Sequence, residues 1–174
     1  FAEKHGYVAS PTASLNLTNE ILEKIKKKGV EVVKVELKVG WGTFAPIREE
    51  DIEDHEIHEE EISLSEESAK KINSVIRSGG KVWAFGTTVA RVLESCANED
   101  GSLKPFVGST NLYIYPGYKW KVVSGLITNF HMPDSSLILL VSSFAGKELI
   151  KNAYSEALEK GYMFLSYGDS MLII

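Results

Sequence analysis

Gly125-Leu-Ile-Thr-Asn-Phe-His-Met-Pro-Asp-Ser-Ser136 is the stretch that decides the fold class. Gly125–Asn129 reads as a buried strand, and Pro133–Ser136 carries the proline and hydroxyls of a helix start. Between them an amide, an aromatic ring and an imidazole stand side by side at Asn129, Phe130 and His131. Strand-to-helix junctions of this kind are where open α/β sheets gather reactive side chains. An unperturbed imidazole also titrates near neutral pH. A histidine that merely caps a loop leaves the same local pattern, so the flanking segments must decide between the two.

Those segments alternate. Thr18–Lys28 has a capping Thr, an acid in its first turn, lysines in its last and Gly29 beyond, which predicts a helix with an apolar stripe of Ile21, Leu22 and Ile25. Val30–Val39 places Val and Leu at near-alternating positions and predicts a strand. Ser65–Arg77 predicts a helix with Ala69, Ile72, Val75 and Ile76 inward, ended by Gly79-Gly80. Lys81–Phe85 is a short buried strand, turned by Gly86-Thr87-Thr88 into a third helix through Val89, Val92, Leu93 and Cys96. Asn98–Gly108 reads as a polar loop, and Leu112–Tyr115 with Trp120–Val123 as two strands about Pro116-Gly117. Asp134–Phe144 and Lys147–Lys160 read as helices parted by Ala145-Gly146. Short apolar stretches, Phe164-Leu165 and Met171–Ile174, flank Tyr167-Gly168-Asp169. The expectation is one α/β domain over residues 1–174, with a largely parallel sheet covered by helices on both faces.

With 174 residues, 44% of them apolar, the chain can bury one such core. It opens on Phe1 rather than Met and is read as part of a longer polypeptide. No window approaches 18 uncharged apolar residues and no signal-peptide pattern opens the chain, so neither a membrane span nor secretion is expected. Cys96 is the lone cysteine, which excludes an internal disulfide and fits a reducing cytoplasm; in its helical pattern it reads as a small buried residue. The net charge of -5 is unevenly spread: Glu49–Glu67 holds 11 of the 24 acids and no Lys or Arg, leaving 13 acids against 19 bases elsewhere. Such asymmetry permits a basic face for a polyanion while an acidic loop, about residues 48–64, points away. A merely solvated acidic loop fits equally well.

Several short motifs can carry chemistry. Phe85-Gly86-Thr87-Thr88 sets a glycine and two hydroxyls at a helix start, where free N–H groups favour an anion by about 0.3–1 kcal/mol. Arg91 lies one turn along and Glu94 one turn further, and together they can hold a carboxylate or phosphate, or form a surface pair that needs no ligand. His55 and His58 have the wrong spacing for His-Glu-x-x-His and lie in an acidic run without cysteine, so solvated or loop-ordering histidines are expected, and no metal. Gly40-Trp41-Gly42-Thr43-Phe44 suits close backbone approach or a stacking surface; a Trp buried in a core corner is the competing account. The hydroxyls of Ser10–Ser14, Thr12 among them, can face a ligand or set a turn. In a parallel sheet, Gly40–Thr43, Gly86–Thr88 and Thr128–His131 would all lie along one carboxyl edge.

The chain resembles the S-adenosylmethionine:tRNA ribosyltransferase-isomerases of queuosine biosynthesis. The matching stretches are Ala9-Ser-Pro-Thr-Ala13, Val39-Gly-x-Gly-Thr-Phe44 with Pro46, His55-x-x-His58, Gly86-Thr-Thr-x-x-Arg91-x-Leu-Glu94 and Ile114-Tyr-Pro-Gly-Tyr118. They continue with Leu126-Ile-Thr-Asn-Phe-His131-x-Pro133, Phe144-Ala-Gly146 and Ser166-Tyr-Gly-Asp169 with Met171-Leu172. The resemblance implies transfer and isomerisation of the ribosyl moiety of S-adenosylmethionine onto preQ1 (7-aminomethyl-7-deazaguanine) at a tRNA wobble position, giving epoxyqueuosine, adenine and methionine. It further implies a monomeric cytoplasmic enzyme with a separate β-barrel domain encoded upstream of Phe1. On this chemistry His131 is the expected base, Asn129 and Asp169 position the ribose or the leaving adenine, and Trp41 or Phe44 stacks on a base. Gly86, Thr87, Thr88 and Arg91 hold the methionine carboxylate, and Thr12 lines the site. Three positions depart from the family pattern: Asn16 and Lys38 stand where His is usual, and Ser124 where Asp is usual. A divergent paralogue that binds tRNA or a nucleoside, with altered or lost catalysis, is the alternative these changes raise.

Overall fold

Local signals place the helices. In the computed structural model, which describes residues 12–38, 47–49 and 51–174, the Thr18 hydroxyl accepts from Ile21 N–H (3.3 Å) and starts α1, Asn19–Lys27. Ser65 does the same for α2, Glu66–Arg77, through Ser68 N–H (3.1 Å), and Ser135 for α4, Ser136–Ala145, through Ile138 N–H (3.4 Å). Each bond satisfies one of the donors that a helix start leaves open. The third helix, α3 (Thr87–Ser95), has no side-chain cap: it starts from Gly86 at φ +100°, a conformation natural only to glycine. Gly146, at φ +89°, separates α4 from α5, Lys147–Glu159.

The strands form two sheets. The first orders β1 (Glu36–Lys38), β2 (Glu60–Leu64) and β4 (Phe106–Thr110), antiparallel throughout. The second orders β3 (Val82–Phe85), β5 (Val123–Asn129) and β6 (Ser170–Ile173). Here β3 and β5 run parallel, with Phe85 opposite Ile127, while β5 and β6 run antiparallel. The expected largely parallel sheet is therefore corrected: among the described residues only β3 and β5 pair in parallel. A single helix between two strands carries the chain back for a parallel return, but α4 and α5 make two passes and deliver β6 in the opposite sense.

The helix α3 touches β1, β2, β3 and β5 and so joins the sheets. Ala90, Val92, Leu93 and Cys96 on it are fully or almost fully buried, against a core that includes Leu64, Ala84, Leu126, Leu140 and Val141. Burying side chains such as Val92 or Leu126 stabilises by about 1.5–3 kcal/mol each. Burial also pushes the Cys96 thiol up to about 11, the state of an inert packing residue.

Three strand expectations change, each for a non-local reason. Part of the acidic stretch read as a loop is β2, whose Glu60, Ile62 and Leu64 point inward while Glu61 is exposed. The charge of Glu60 is met by Arg91 in a buried ion pair, which allows a carboxylate on the inner face. The predicted strands 112–115 and 120–123 do not pair across Pro116-Gly117. Leu112 N–H donates to the Thr110 hydroxyl (3.1 Å), and its carbonyl accepts from Arg91 Nε (3.3 Å). The N–H groups of Lys121, Val122 and Val123 all donate to the buried Glu94 carboxylate (2.9, 3.0 and 3.0 Å), as does the Tyr118 hydroxyl (3.1 Å). Backbone groups spent on side chains are lost to a ladder. The pairing strand is instead Phe106–Thr110, partly inside the predicted loop. Of the predicted strand 30–39, only Glu36–Lys38 joins a ladder, and its last residue lies outside the described residues.

Removing one member of a buried ion pair leaves the other charge uncompensated, at about 3–5 kcal/mol. Arg91→Met should therefore lower the unfolding free energy by about that amount in urea titration. Adding Glu60→Gln should recover more than half of the loss.

Candidate functional site

Because β3 and β5 are parallel neighbours, the loops at their carboxyl ends emerge together. Gly86 N–H donates to Ile127 O (2.7 Å) and ties the first loop to the second. A cavity of about 190 Å³ opens there. Its walls are Phe85–Val89, Thr128–Met132, Ser135 and Leu137, closed by Thr12-Ala13 on one side and Leu165-Ser166 on another. Segments remote in sequence thus share one enclosure. Gly86 also lies beside the Thr12–Asn16 turn, since a Cβ on it would sit 3.5 Å from that of Ala13.

His131 is held from three directions. Its backbone N–H donates to the Tyr154 hydroxyl of α5 (2.9 Å), and its Nε2 lies 3.1 Å from the Thr128 hydroxyl. Phe130, Tyr154 and Phe164 stack their rings behind it. Only 9% of the residue is exposed, and burial pushes the imidazole pKa down to about 4. The expectation of titration near neutral pH is corrected on this point: desolvation penalises the cation, so the ring is neutral at pH 7. No hydrogen bond from the described residues reaches its Nδ1.

Asn129 is also buried, its side-chain amide donating to Asp169 O (3.3 Å). Asp169 itself closes a loop: its carboxylate accepts from Met163 N–H (2.8 Å), its own N–H donates to Met163 O (2.8 Å), and it does not line the cavity. Gly168 permits that closure, since a Cβ there would lie 2.3 Å from Met163 O. Leu165 N–H donates to Phe130 O (2.9 Å), which pins the loop against the end of β5. Asn16 braces it from the other side through Gly168 O (3.0 Å) and Ser170 Oγ (2.8 Å).

Gly86, Thr87, Thr88, Thr12, Asn129 and His131 are brought together, but Arg91 is not. Its guanidinium is 4% exposed and paired with Glu60, one turn along α3 from the cavity-lining Thr87, while Glu94 organises residues 118–123. Arg91, expected in a carboxylate clamp, pairs instead with Glu60 and is not among the described residues that line the cavity. Trp41 and Phe44, with the rest of the Gly40–Thr43 loop, lie outside the described residues. His58 is exposed and His55 Nδ1 meets Glu49 (3.0 Å) beside the ring of Tyr113. Of the three departures from the family pattern, Lys38 pairs with Glu61 and the Ser124 hydroxyl faces Val82 N–H and Val122 O at the start of β5; Asn16 alone braces a cavity wall. Sequence reasoning missed Tyr154, Ser135 and Leu165. The first sits in an ordinary amphipathic helix, and only the φ of +68° at Leu165, invisible in sequence, marks that residue as special.

A family model described as "Queuosine biosynthesis protein" matches residues 1–173. The S-adenosylmethionine:tRNA ribosyltransferase-isomerase of Thermoanaerobacter sp. (strain X514) is 52% identical over 174 residues, 100% of this chain and 51% of that protein. The protein of the same description from Chlorobaculum parvum is 53% identical over 176 residues, 99% of this chain and 52% of its own length. The crystal structure of S-adenosylmethionine tRNA ribosyltransferase from Thermotoga maritima superposes with a TM-score of 0.77 at 38% identity, covering 94% of this chain and 51% of that one. The chain spans about half the length of the curated relatives it matches.

The neutral His131 has a consequence for stability. Its folded pKa is depressed, so the unfolded chain takes up a proton first as pH falls. Its stabilising contribution is complete above about pH 6.5 and declines toward pH 4, at up to about 1.4 kcal/mol per pH unit. His131→Gln should flatten the pH dependence of urea unfolding by about one proton across that window.

Proposed function

The chain belongs to the queuosine biosynthesis protein family, and from that membership we propose that it serves an S-adenosylmethionine-dependent tRNA ribosyltransferase-isomerase. The proposed reaction moves the ribosyl carbons of S-adenosylmethionine onto the aminomethyl nitrogen of preQ1 at the wobble position of tRNA. A C4′–N bond forms as the C4′–O4′ bond breaks. A C5′–C1′ bond closes the carbon ring as the C1′–N9 bond breaks with its pair leaving on adenine, which takes up a proton. O4′, kept on C1′, then bonds C5′ as the C5′–S bond breaks with its pair leaving on methionine. The ribosyl carbons retain their three oxygens as the two hydroxyls and epoxide of epoxyqueuosine. One proton is lost overall, and no oxidant or reductant is needed.

The observation that carries this reading is the shared enclosure of Gly86–Thr88 and Asn129–His131, two motifs of the family resemblance that lie more than forty residues apart. Its size fits one part of a larger ligand, since pockets that bury a whole drug-sized molecule run to about 300–1,000 Å³. A sulfonium acidifies the protons on its C5′ neighbour, so a proton acceptor is required near the ribose. His131 is proposed for that role: its ring is neutral at pH 7, and Nδ1 has no partner among the described residues. Asn129 is proposed to touch the nucleoside directly, and Asp169 to act through the loop it closes. The protein is proposed to act as a cytoplasmic monomer on preQ1-containing tRNA; among the described residues no helix is long and apolar enough to cross a membrane.

Full-length protein incubated with S-adenosylmethionine and preQ1-containing tRNA should release adenine in step with tRNA modification. His131→Ala should slow turnover by about 10²–10⁴-fold while S-adenosylmethionine still binds. An acceptor already neutral above about pH 4 implies no acidic limb in kcat between pH 6 and 8. Binding of tRNA without adenine release would sink the proposal, and unchanged turnover in His131→Ala would end the role of the imidazole.

A further inference from the structure

Among the described residues the cavity walls carry no charged side chain, although the ligand proposed for it carries three charged groups. Apolar surface comes from Phe85, Val89, Phe130, Met132, Leu137 and Leu165, and polar atoms from threonine, serine, asparagine and a histidine. The methionine end of S-adenosylmethionine bears a carboxylate, an ammonium and the sulfonium. Taking such charges from water into an enclosure without counter-charges is costly. The cation nearest in sequence, Arg91, is committed to the buried Glu60.

The adenine end of the same molecule is flat, neutral and apolar on its faces, with donors and acceptors only at its edge. Asn129 offers the complement of that edge. One hydrogen of its amide nitrogen is spent on Asp169 O, which fixes the orientation of the amide. The second hydrogen and the Oδ1 have no partner among the described residues. An amide presenting one N–H and one C=O side by side is the group that pairs with the N6 donor and N7 acceptor of adenine. The open N–H groups at the start of α3, which no side chain caps, face neutral acceptors equally well.

We infer that this cavity holds the adenine base of S-adenosylmethionine, with Asn129 reading its N6 and N7 edge, and that the methionine end lies outside it. The inference rests on the proposed use of S-adenosylmethionine and assigns which end of it enters. The leaving base is then anchored where the two parallel strands end, and the ribose is directed toward the mouth.

Calorimetric titration of the full-length protein tests this with separate probes: adenine, 5′-methylthioadenosine and methionine. The first two should bind and compete with S-adenosylmethionine, and methionine should not. Hypoxanthine, which lacks the amino group, and 7-deazaadenine, which lacks N7, should each bind at least about tenfold more weakly, a loss of about 1.4 kcal/mol. These analogues leave the protein untouched, so the result does not depend on a variant folding. Asn129→Ala should erase the discrimination between adenine and its analogues. Methionine competing while adenine does not would overturn the assignment, as would equal binding of all three purines. If neither fragment binds yet adenine is released from S-adenosylmethionine, the assignment fails and the proposed reaction stands. If adenine binds with the predicted edge preference but no S-adenosylmethionine is consumed, the cavity assignment stands and the reaction falls.

Discussion

The buried pair of Arg91 and Glu60 governs how this molecule is assembled. It joins α3 to the first sheet through the inner face of β2, while the other end of the same helix opens the cavity at the edge of the second sheet. A pair this deep contributes little net stability over an apolar substitute, because desolvation cancels much of its Coulomb energy. What it confers is registration. The guanidinium also takes the Leu112 carbonyl, so the rotation of α3, the inward face of β2 and the path of residues 110–112 are set together. One turn along, Glu94 gathers three consecutive backbone N–H groups just before β5 begins. Glu94 thus positions the start of the strand that ends at Asn129, two residues before His131.

That arrangement explains the character of the cavity. The polar groups that the described residues give it are neutral, because the charged residues of α3 are used for architecture, Arg91 on Glu60 and Glu94 on residues 118–123. His131 shares in this: Thr128, Tyr154 and a cluster of rings hold its orientation while removing it from water, which fixes its neutral form at pH 7. The 163–169 loop forms the remaining wall, braced by Asn16, by Asp169 on Met163 and by Leu165 on Phe130.

Much of this was legible before the structure, and unevenly so. The helices from Thr18, Ser65 and Ser135, and the Gly146 break, were readable because caps, terminal charges and glycines act within a few residues. The carboxyl-end loops at Gly86 and His131 were readable for the same reason, and their meeting followed once β3 and β5 were taken as parallel. The strand inside the acidic stretch was not readable: alternation of Glu60, Ile62 and Leu64 looks like a polar loop until Arg91, thirty-one residues on, is known to meet the carboxylate. The expected hairpin about Pro116-Gly117 failed likewise, since nothing local reveals that Glu94 claims its backbone donors.

The amino-acid order alone determined the helices, the family, and the two motifs that flank the cavity, because each rests on neighbouring residues or on a pattern spread along the whole chain. Tertiary structure alone decided the direction of β6, set by the two passes of α4 and α5, the inward turn of Glu60, its pairing with Arg91 and the neutral state of His131. The last three depend on which groups lose water together, and desolvation is a property of the assembled chain rather than of any segment of it.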